Sequence, residues 1–295
     1  MRRPVVPDFF SPTPGVPLGP ESLTWQTLGD LRLLLVGMRA GLLQTMHPAI
    51  EKGVRDHSDY VAGPFNRILR SVPQIAGVVY DEDRLATAVR VRDYHRPIAG
   101  RLDDGRRYHA LDPETYYWAH ATFFEAQVAA MELFGRPLGE TQKERLYQES
   151  VQWYSLYGVS LRPVPEDYQA FHAYWERTCD EVLEHNRFSR GTFKPRRGAF
   201  GPPPVRWLPA PVWRAVSDPL YRGGVWLVRG TLPPRLRERM GLPWSRSDER
   251  RLRVLRFAVR NTFGRLPWWW RLAPQVRAAY RREVRAVAPH VSAAA

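Results

Sequence analysis

The sequence contains one cysteine, Cys179, in 295 residues. A lone thiol excludes an internal disulfide framework and any zinc or iron–sulfur centre built from several cysteines, and it suits a reducing compartment. Lysine is nearly as scarce. Lys52, Lys143 and Lys194 are the whole supply, so the 44 basic residues are almost all arginine. No apolar run approaches the ~20 residues of a membrane span. The longest, Leu31 to Leu43, is interrupted by Arg32 and Arg39. The N-terminus reads Met1-Arg2-Arg3-Pro4 and stays proline-rich to Pro20, unlike the apolar segment of a secretory signal. A cytoplasmic location is the expectation, with contact to membrane surfaces left open. Period-two alternation is rare, Val225–Val228 being a weak instance. There is no GxGxxG after a strand, no Walker loop, no GxSxG elbow and no H-E-x-x-H pair. Rossmann-type nucleotide binding, P-loop phosphotransfer and serine-triad hydrolysis therefore have no support.

What is present is enough for a packed core: 44% hydrophobic and 12% aromatic residues, which excludes wholesale disorder. The length suits one large domain or two small ones. The net charge of +14 is uneven. From about Arg190 onward arginines are dense, and the acids are only Asp218, Glu238, Asp248, Glu249 and Glu283. This basic, aromatic C-terminal third reads as a solvated face, as a contact for anionic membrane, or as a nucleic-acid surface. The last has no helix-turn-helix, zinc-finger or RNP-like motif behind it.

Residues 1–21 hold six prolines and read as an extended arm. Residues 22–290 read as one all-α domain. Leu28, Leu31, Leu34, Leu35, Met38, Leu42 and Leu43 recur mostly at three- and four-residue steps, predicting a buried helix from Trp25 that Pro48 breaks. A second helix starts near Pro64, with Pro73 kinking or ending it. A third follows the acids Asp81–Asp83 and runs to about Gly100. Asp112-Pro113 has the chemistry of a cap and opens a helix to Gly135. Others span about Glu140–Tyr157 and Pro165–His185. The stretch 186–246, rich in Pro, Gly and Arg, reads as loop with short helices. Two closing helices, about 248–264 and 273–287, flank Trp268-Trp269-Trp270.

Five of the eight histidines, His47, His57, His95, His109 and His120, fall between residues 47 and 120. A lone histidine on an apolar face is usually a satisfied core residue; five across neighbouring helices favour a site. Arg67, Arg70 and Ser71 share one helical face beside the apolar Phe65, Ile68, Leu69 and Val72, and arginines turned inward need anions. His95 follows Ala88 and Val91 on one face, with Arg92 and Arg96 adjacent. Tyr116, His120, Phe123 and Phe124 occupy about two turns, either as core or as the wall of a flat apolar pocket. Cys179 sits beside Asp180 and Glu181, which disfavour a thiolate, and reads as structural.

The segments "LLQTMHPAIEKGVRDHSDY", "PFNRILRSV", "VRDYHRPIAG" and "YHALDPETYYWAHATFFEA" resemble the MpaB/rubber-oxygenase (latex clearing protein) catalytic-domain family, over about residues 25–260. The resemblance implies an all-helical domain that binds haem b through a histidine and uses dioxygen to cleave carbon–carbon double bonds in isoprenoid chains. On that resemblance His95 is the proximal iron ligand and Arg67 the arginine near the haem. Arg70 and Ser71 stand where the rubber oxygenases have a lysine and a threonine. Lysine can lose its proton and ligate iron; arginine stays protonated. A lysine-ligated resting state is therefore not expected, and Arg70 fits a propionate or bound oxygen instead. His120 is a second cofactor-binding candidate, and Arg67 and Arg92 supply cations of the kind propionates need.

Two further readings remain at this stage. One is a basic membrane-surface or lipid-binding protein without redox chemistry, drawn from the tryptophan cluster and the arginine-rich tail. The other is a non-haem iron enzyme using His47, His57, His95 and His120 with carboxylates.

Overall fold

The computed structural model describes residues 15–57, 64–194, 197–203, 205 and 207–292; in 64–70 and 284–292 it describes the helix backbone only. Among the described residues the chain forms thirteen α-helices and one short hairpin, the all-α architecture expected. The helices are α1 (Leu23–Leu28), α2 (Leu34–Thr45), α3 (Pro48–His57), α4 (Pro64–Tyr80), α5 (Arg84–Asp93), α6 (Pro113–Phe134), α7 (Glu140–Ser155), α8 (Tyr168–Arg177), α9 (Arg187–Phe193), α10 (Ala210–Thr231), α11 (Pro234–Arg239), α12 (Arg246–Thr262) and α13 (Pro274–Ser292). Strands β1 (Ala99–Arg101) and β2 (Arg107–His109) pair antiparallel, Gly100 opposite Tyr108.

The fold is organised around α6. Asp112 accepts a hydrogen bond from the Thr115 amide, and Pro113 occupies the first turn, where its missing N–H costs nothing. The helix is apolar around most of its circumference, so every side needs a neighbour. Trp118 stacks on Trp175 of α8 with ring centroids 4.9 Å apart, and Phe124 meets Phe171 edge-on at 4.7 Å. α2 crosses α6, Gln44 donating to the Ala119 carbonyl and to Thr122 Oγ1. α7 covers another side with Tyr147, Trp153 and Tyr154. Near Phe134 the core is completed by Val36 of α2 and Leu252 of α12.

Several elements differ from the sequence-based expectation, each for a local reason. The continuous helix expected from Trp25 is broken at Gly29, because the Asp30 carboxylate caps a new start at the Arg32 amide. Pro73 neither ends nor bounds α4, which runs to Tyr80. α5 stops at Asp93 rather than Gly100: Pro97 disfavours helical geometry at Arg96, and the chain turns into the hairpin. The helix expected to run to His185 ends at Arg177 in a single π-turn, Thr178–Val182. There the Arg239 guanidinium donates to the loosened carbonyls of Cys179 and Leu183. The largest departure is α10, a 22-residue helix inside the stretch read as loop, and one that absorbs Val225–Val228. Two of its three glycines serve packing. A Cβ at Gly224 would lie 2.4 Å from Met38 Sδ, and one at Gly230 2.4 Å from the Trp244 ring. Both residues admit a neighbour that any side chain would exclude.

Of the expected N-terminal arm, residues 1–14 lie outside the described residues. The rest lies against the body, Gln152 donating to the Val16 carbonyl and the Trp25 indole to that of Leu18. No helix among the described residues is long and apolar enough to cross a membrane.

Candidate functional site

His95 lies just past the end of α5, half-buried, in the turn that precedes β1. Its Nδ1 is 2.8 Å from the Val91 carbonyl oxygen. A carbonyl only accepts, so Nδ1 carries the proton and, in the neutral imidazole, Nε2 carries the lone pair. The ring is further fixed by Tyr116, whose centroid is 5.5 Å away at 87°. Arg92, one residue inside α5, donates to Asp93 Oδ1 at 2.8 Å and to the Tyr157 carbonyl at 3.3 Å. Arg92 and Arg96 hold the Asp93 carboxyl below the usual range. Gly158 adopts φ +63°, and a Cβ there would be 3.3 Å from the Arg92 guanidinium. A glycine at this site lets the end of α7 meet Arg92 without strain.

α4 and α5 form an antiparallel helix hairpin across Asp81–Asp83. Residues equally far from that turn lie level, so the first half of α4, where Arg67, Arg70 and Ser71 fall, comes to the same end of the hairpin as His95. Ser71 is half-buried there, while the side chains of Arg67 and Arg70 lie outside the described residues.

From His95 a run of tyrosines leads inward. Tyr116 packs on Tyr157 at 5.4 Å and on Tyr154 at 6.2 Å. These two reach His120, at 6.2 and 5.1 Å, with Trp153 at 4.6 Å on another side. His120 is buried, its Nε2 3.0 Å from the Ser150 carbonyl and 2.9 Å from Ser150 Oγ. Nε2–H therefore donates to Ser150, and Nδ1 faces the interior with no hydrogen-bond partner among the described residues. Burial pushes its pKa down to about 3, the Ser150 bond opposing only in part, so the imidazole is neutral. Burial also raises the Tyr116, Tyr154 and Tyr157 hydroxyls well above the ordinary phenol. His95 and His120 thus do not face one another; two layers of rings separate them.

The other histidines are dispersed. His47 lies in the turn before α3, with Nδ1 buried and without a hydrogen-bond partner among the described residues, and its pKa is pushed by burial down to about 4. His57 Nε2 is 3.2 Å from the Ala99 carbonyl, and His109 Nδ1 accepts from the Leu111 amide. Among the described residues no three His, Cys, Asp or Glu side chains converge as a metal site would require, which leaves the non-haem arrangement without a ligand set. Cys179 is buried, and burial pushes its thiol up to about 12, consistent with a structural role.

The residues around His95 fit a haem in their donor chemistry. The site offers one oriented imidazole whose second nitrogen is tied to a carbonyl, aromatic walls, and arginine beside it. His120 offers less room. An iron on its Nδ1 would need a porphyrin plane within the shell of rings 4.6 to 6.2 Å away, which the packed core fills. Sequence reasoning did not single out Trp153, Tyr154 and Tyr157. Their i, i+1, i+4 spacing at the end of α7 was the available signal. Nothing in the sequence marked the Val91 carbonyl or Ser150.

Comparison with known proteins places the chain in a family. Two mycobacterial proteins, from Mycobacterium bovis and Mycobacterium tuberculosis and both named only as uncharacterized, are each 27% identical over 235 residues, covering 74% of this chain and 86% of theirs. No solved structure matches the chain. The model of the family described as ER-bound oxygenase mpaB/B'/rubber oxygenase, catalytic domain, matches residues 25–261. This span runs from α1 to the end of α12 and includes both histidines, so the chain belongs to the mpaB/rubber-oxygenase catalytic-domain family.

Proposed function

We propose that this oxygenase-family domain binds haem b through His95 and uses dioxygen to oxidise a hydrophobic, isoprenoid- or lipid-like substrate, cleaving a carbon–carbon double bond. The observation that carries the proposal is the His95–Val91 hydrogen bond beside the ring of Tyr116. It is the arrangement that second-shell carbonyls give to metal-bound histidines, fixing the tautomer and raising the basicity of the other nitrogen. Bound haem would supply the redox centre at which dioxygen is activated. The protein's own contributions are orientation, exclusion of water and charge balance. Val91 holds the His95 proton at Nδ1. Tyr116, Tyr154 and Tyr157 keep water from the inner side, and with their hydroxyls held protonated by burial they introduce no charge. Neutral His120 does the same. Arg92, Arg67 and Arg70 are the cations proposed for the propionates and the oxygen side, with Ser71 as a neutral hydroxyl. The packing around His120 supports a structural role for it and His95 as the iron ligand.

The test is an absorption spectrum of protein from haem-supplemented cells, with His95→Ala and His120→Ala alongside. The expected result is a Soret band in the wild type and in H120A that is lost or strongly shifted in H95A. A wild-type protein without a Soret band would overturn the haem proposal, and a band unchanged in H95A would move the ligand elsewhere.

A further inference from the structure

From Arg250 to Arg282 the chain carries ten arginines and no aspartate or glutamate. The structure divides these cations by direction. Arg256 and Arg260 turn inward and donate to the Leu133 and Glu132 carbonyls at the C-terminal end of α6, where positive charge complements the helix dipole. Arg250, Arg253 and Arg265 are exposed and make no ion pair among the described residues. The two acids of α12 are occupied on its other side, Asp248 accepting from the Trp226 indole and Glu249 from that of Trp244.

The apolar residues of the same segment are also divided. Leu252, Leu255 and Val259 form the inner face of α12, packed into the core near Phe134. Val254 and Phe257, one turn apart, are 67% and 69% exposed. They sit one turn beyond Arg250 and Arg253 on the outer face. After α12, Leu266, Trp268 and Trp270 are exposed in turn, Trp270 to 65%. Exposed Val, Phe, Leu and Trp side chains, near in sequence to arginines with no ion pair among the described residues, are not needed for the core, since burial is already satisfied on the opposite face of α12.

We infer that the outer face of α12 and the turn through Trp270 form a docking surface for a bilayer carrying anionic headgroups. The charge selects the partner. A second copy of this chain would oppose arginine to arginine, and a neutral protein groove would leave the cations unmatched. Anionic headgroups match them, while Val254, Phe257 and Leu266 enter the acyl boundary and the indoles rest at headgroup level. The arginine stems lie along the apolar strip with their guanidinium groups in the headgroup layer. A single-stranded nucleic acid would use the arginines and the indoles by stacking but gives no role to the aliphatic side chains. Docking at this surface does not depend on which cofactor the domain carries.

The experiment is vesicle flotation of the full chain with phosphatidylcholine alone and with phosphatidylcholine–phosphatidylserine, at low and high salt, with labelled polyuridine binding measured in parallel. One variant is Arg250→Gln/Arg253→Gln/Arg265→Gln. A second is Val254→Ser/Phe257→Ser/Trp270→Ser. A charge-matched control, Arg101→Gln/Arg106→Gln/Arg107→Gln, lies on the β-hairpin. All of these positions are exposed, so unchanged circular dichroism and melting confirm an intact fold. Binding should require the anionic lipid and weaken with salt. It should fall by roughly fivefold for each arginine removed, fall with the apolar variant at any salt, and survive the hairpin control. The proposal is overturned by no flotation with either lipid, by equal loss in the hairpin control, or by polyuridine binding that the two variants abolish while flotation is unaffected.

Discussion

At the scale of single residues, the two histidines of the site region differ in what their nitrogens touch. His95 gives its Nδ1 proton to a backbone carbonyl at the edge of the bundle; His120 gives its Nε2 proton to Ser150 at the centre. The difference predicts separable phenotypes. His120→Ala removes a buried ring and a hydrogen bond and should destabilise the domain by roughly 2–4 kcal/mol in urea denaturation, with the absorption spectrum kept. His120 also sets a pH dependence. Its folded pKa of about 3 lies below the unfolded value near 6.5. Between these limits the unfolded chain binds the extra proton, so stability is full above pH ~6.5 and falls as pH drops toward 3. His47, pushed down to about 4, acts in the same direction. Denaturation midpoints at neutral pH and at about pH 5 should differ in the wild type, and His120→Gln should reduce the difference. Equal slopes in the two proteins would remove His120 from the account. The sequence pointed to both histidines but placed His95 inside a helix that ends at Asp93. It could not reveal which nitrogen is tied, because that depends on the backbone carbonyl of Val91 and on Ser150, thirty residues from His120.

At the scale of elements, signals carried by local chemistry were legible. The Asp112-Pro113 cap and the run of apolar and aromatic residues after it located α6 to within a residue, and Gly135 marked its end. Signals carried by tertiary packing were not. α10 was hidden because Pro211, Pro219 and three glycines break up its helical pattern. Its inward face of Ser217, Val228 and Thr231 is too polar to register as a stripe, and Gly224 and Gly230 make room for Met38 and Trp244. Arg32 and Arg39, which read as interruptions of an apolar run, are buried instead. Arg39 forms a two-pronged ion pair with Glu125 that ties α2 to α6, one prong at 2.7 Å. Burial and ion pairing act on the same groups, so removing one partner strands the other. Arg39→Met should cost roughly 3–5 kcal/mol in chemical denaturation, and Arg39→Met/Glu125→Leu should recover most of that loss. If the double variant were as unstable as the sum of the singles, the pair would not be the unit that joins the two helices.

At the scale of the whole molecule, the polar and apolar work is divided by region. The half from α1 to α8 builds an aromatic core and brings α4, α5 and α6 together beside His95. The C-terminal third closes that core with α10, α12 and α13 and carries the excess positive charge outward. The overall class and the span of the family were readable from sequence because they rest on ordered motifs between residues 40 and 135. The outward direction of the arginines was not, since a helix exposes its faces only once its neighbours are placed. The central claim is ligation of haem iron by His95, and the most direct measurement replaces that ligand. His95→Gly protein, reconstituted with haem, is titrated with free imidazole and followed by absorption. The account predicts a weakened or displaced Soret band in the variant that imidazole returns to the wild-type position. A His95→Gly spectrum identical to the wild type before any imidazole is added would contradict it.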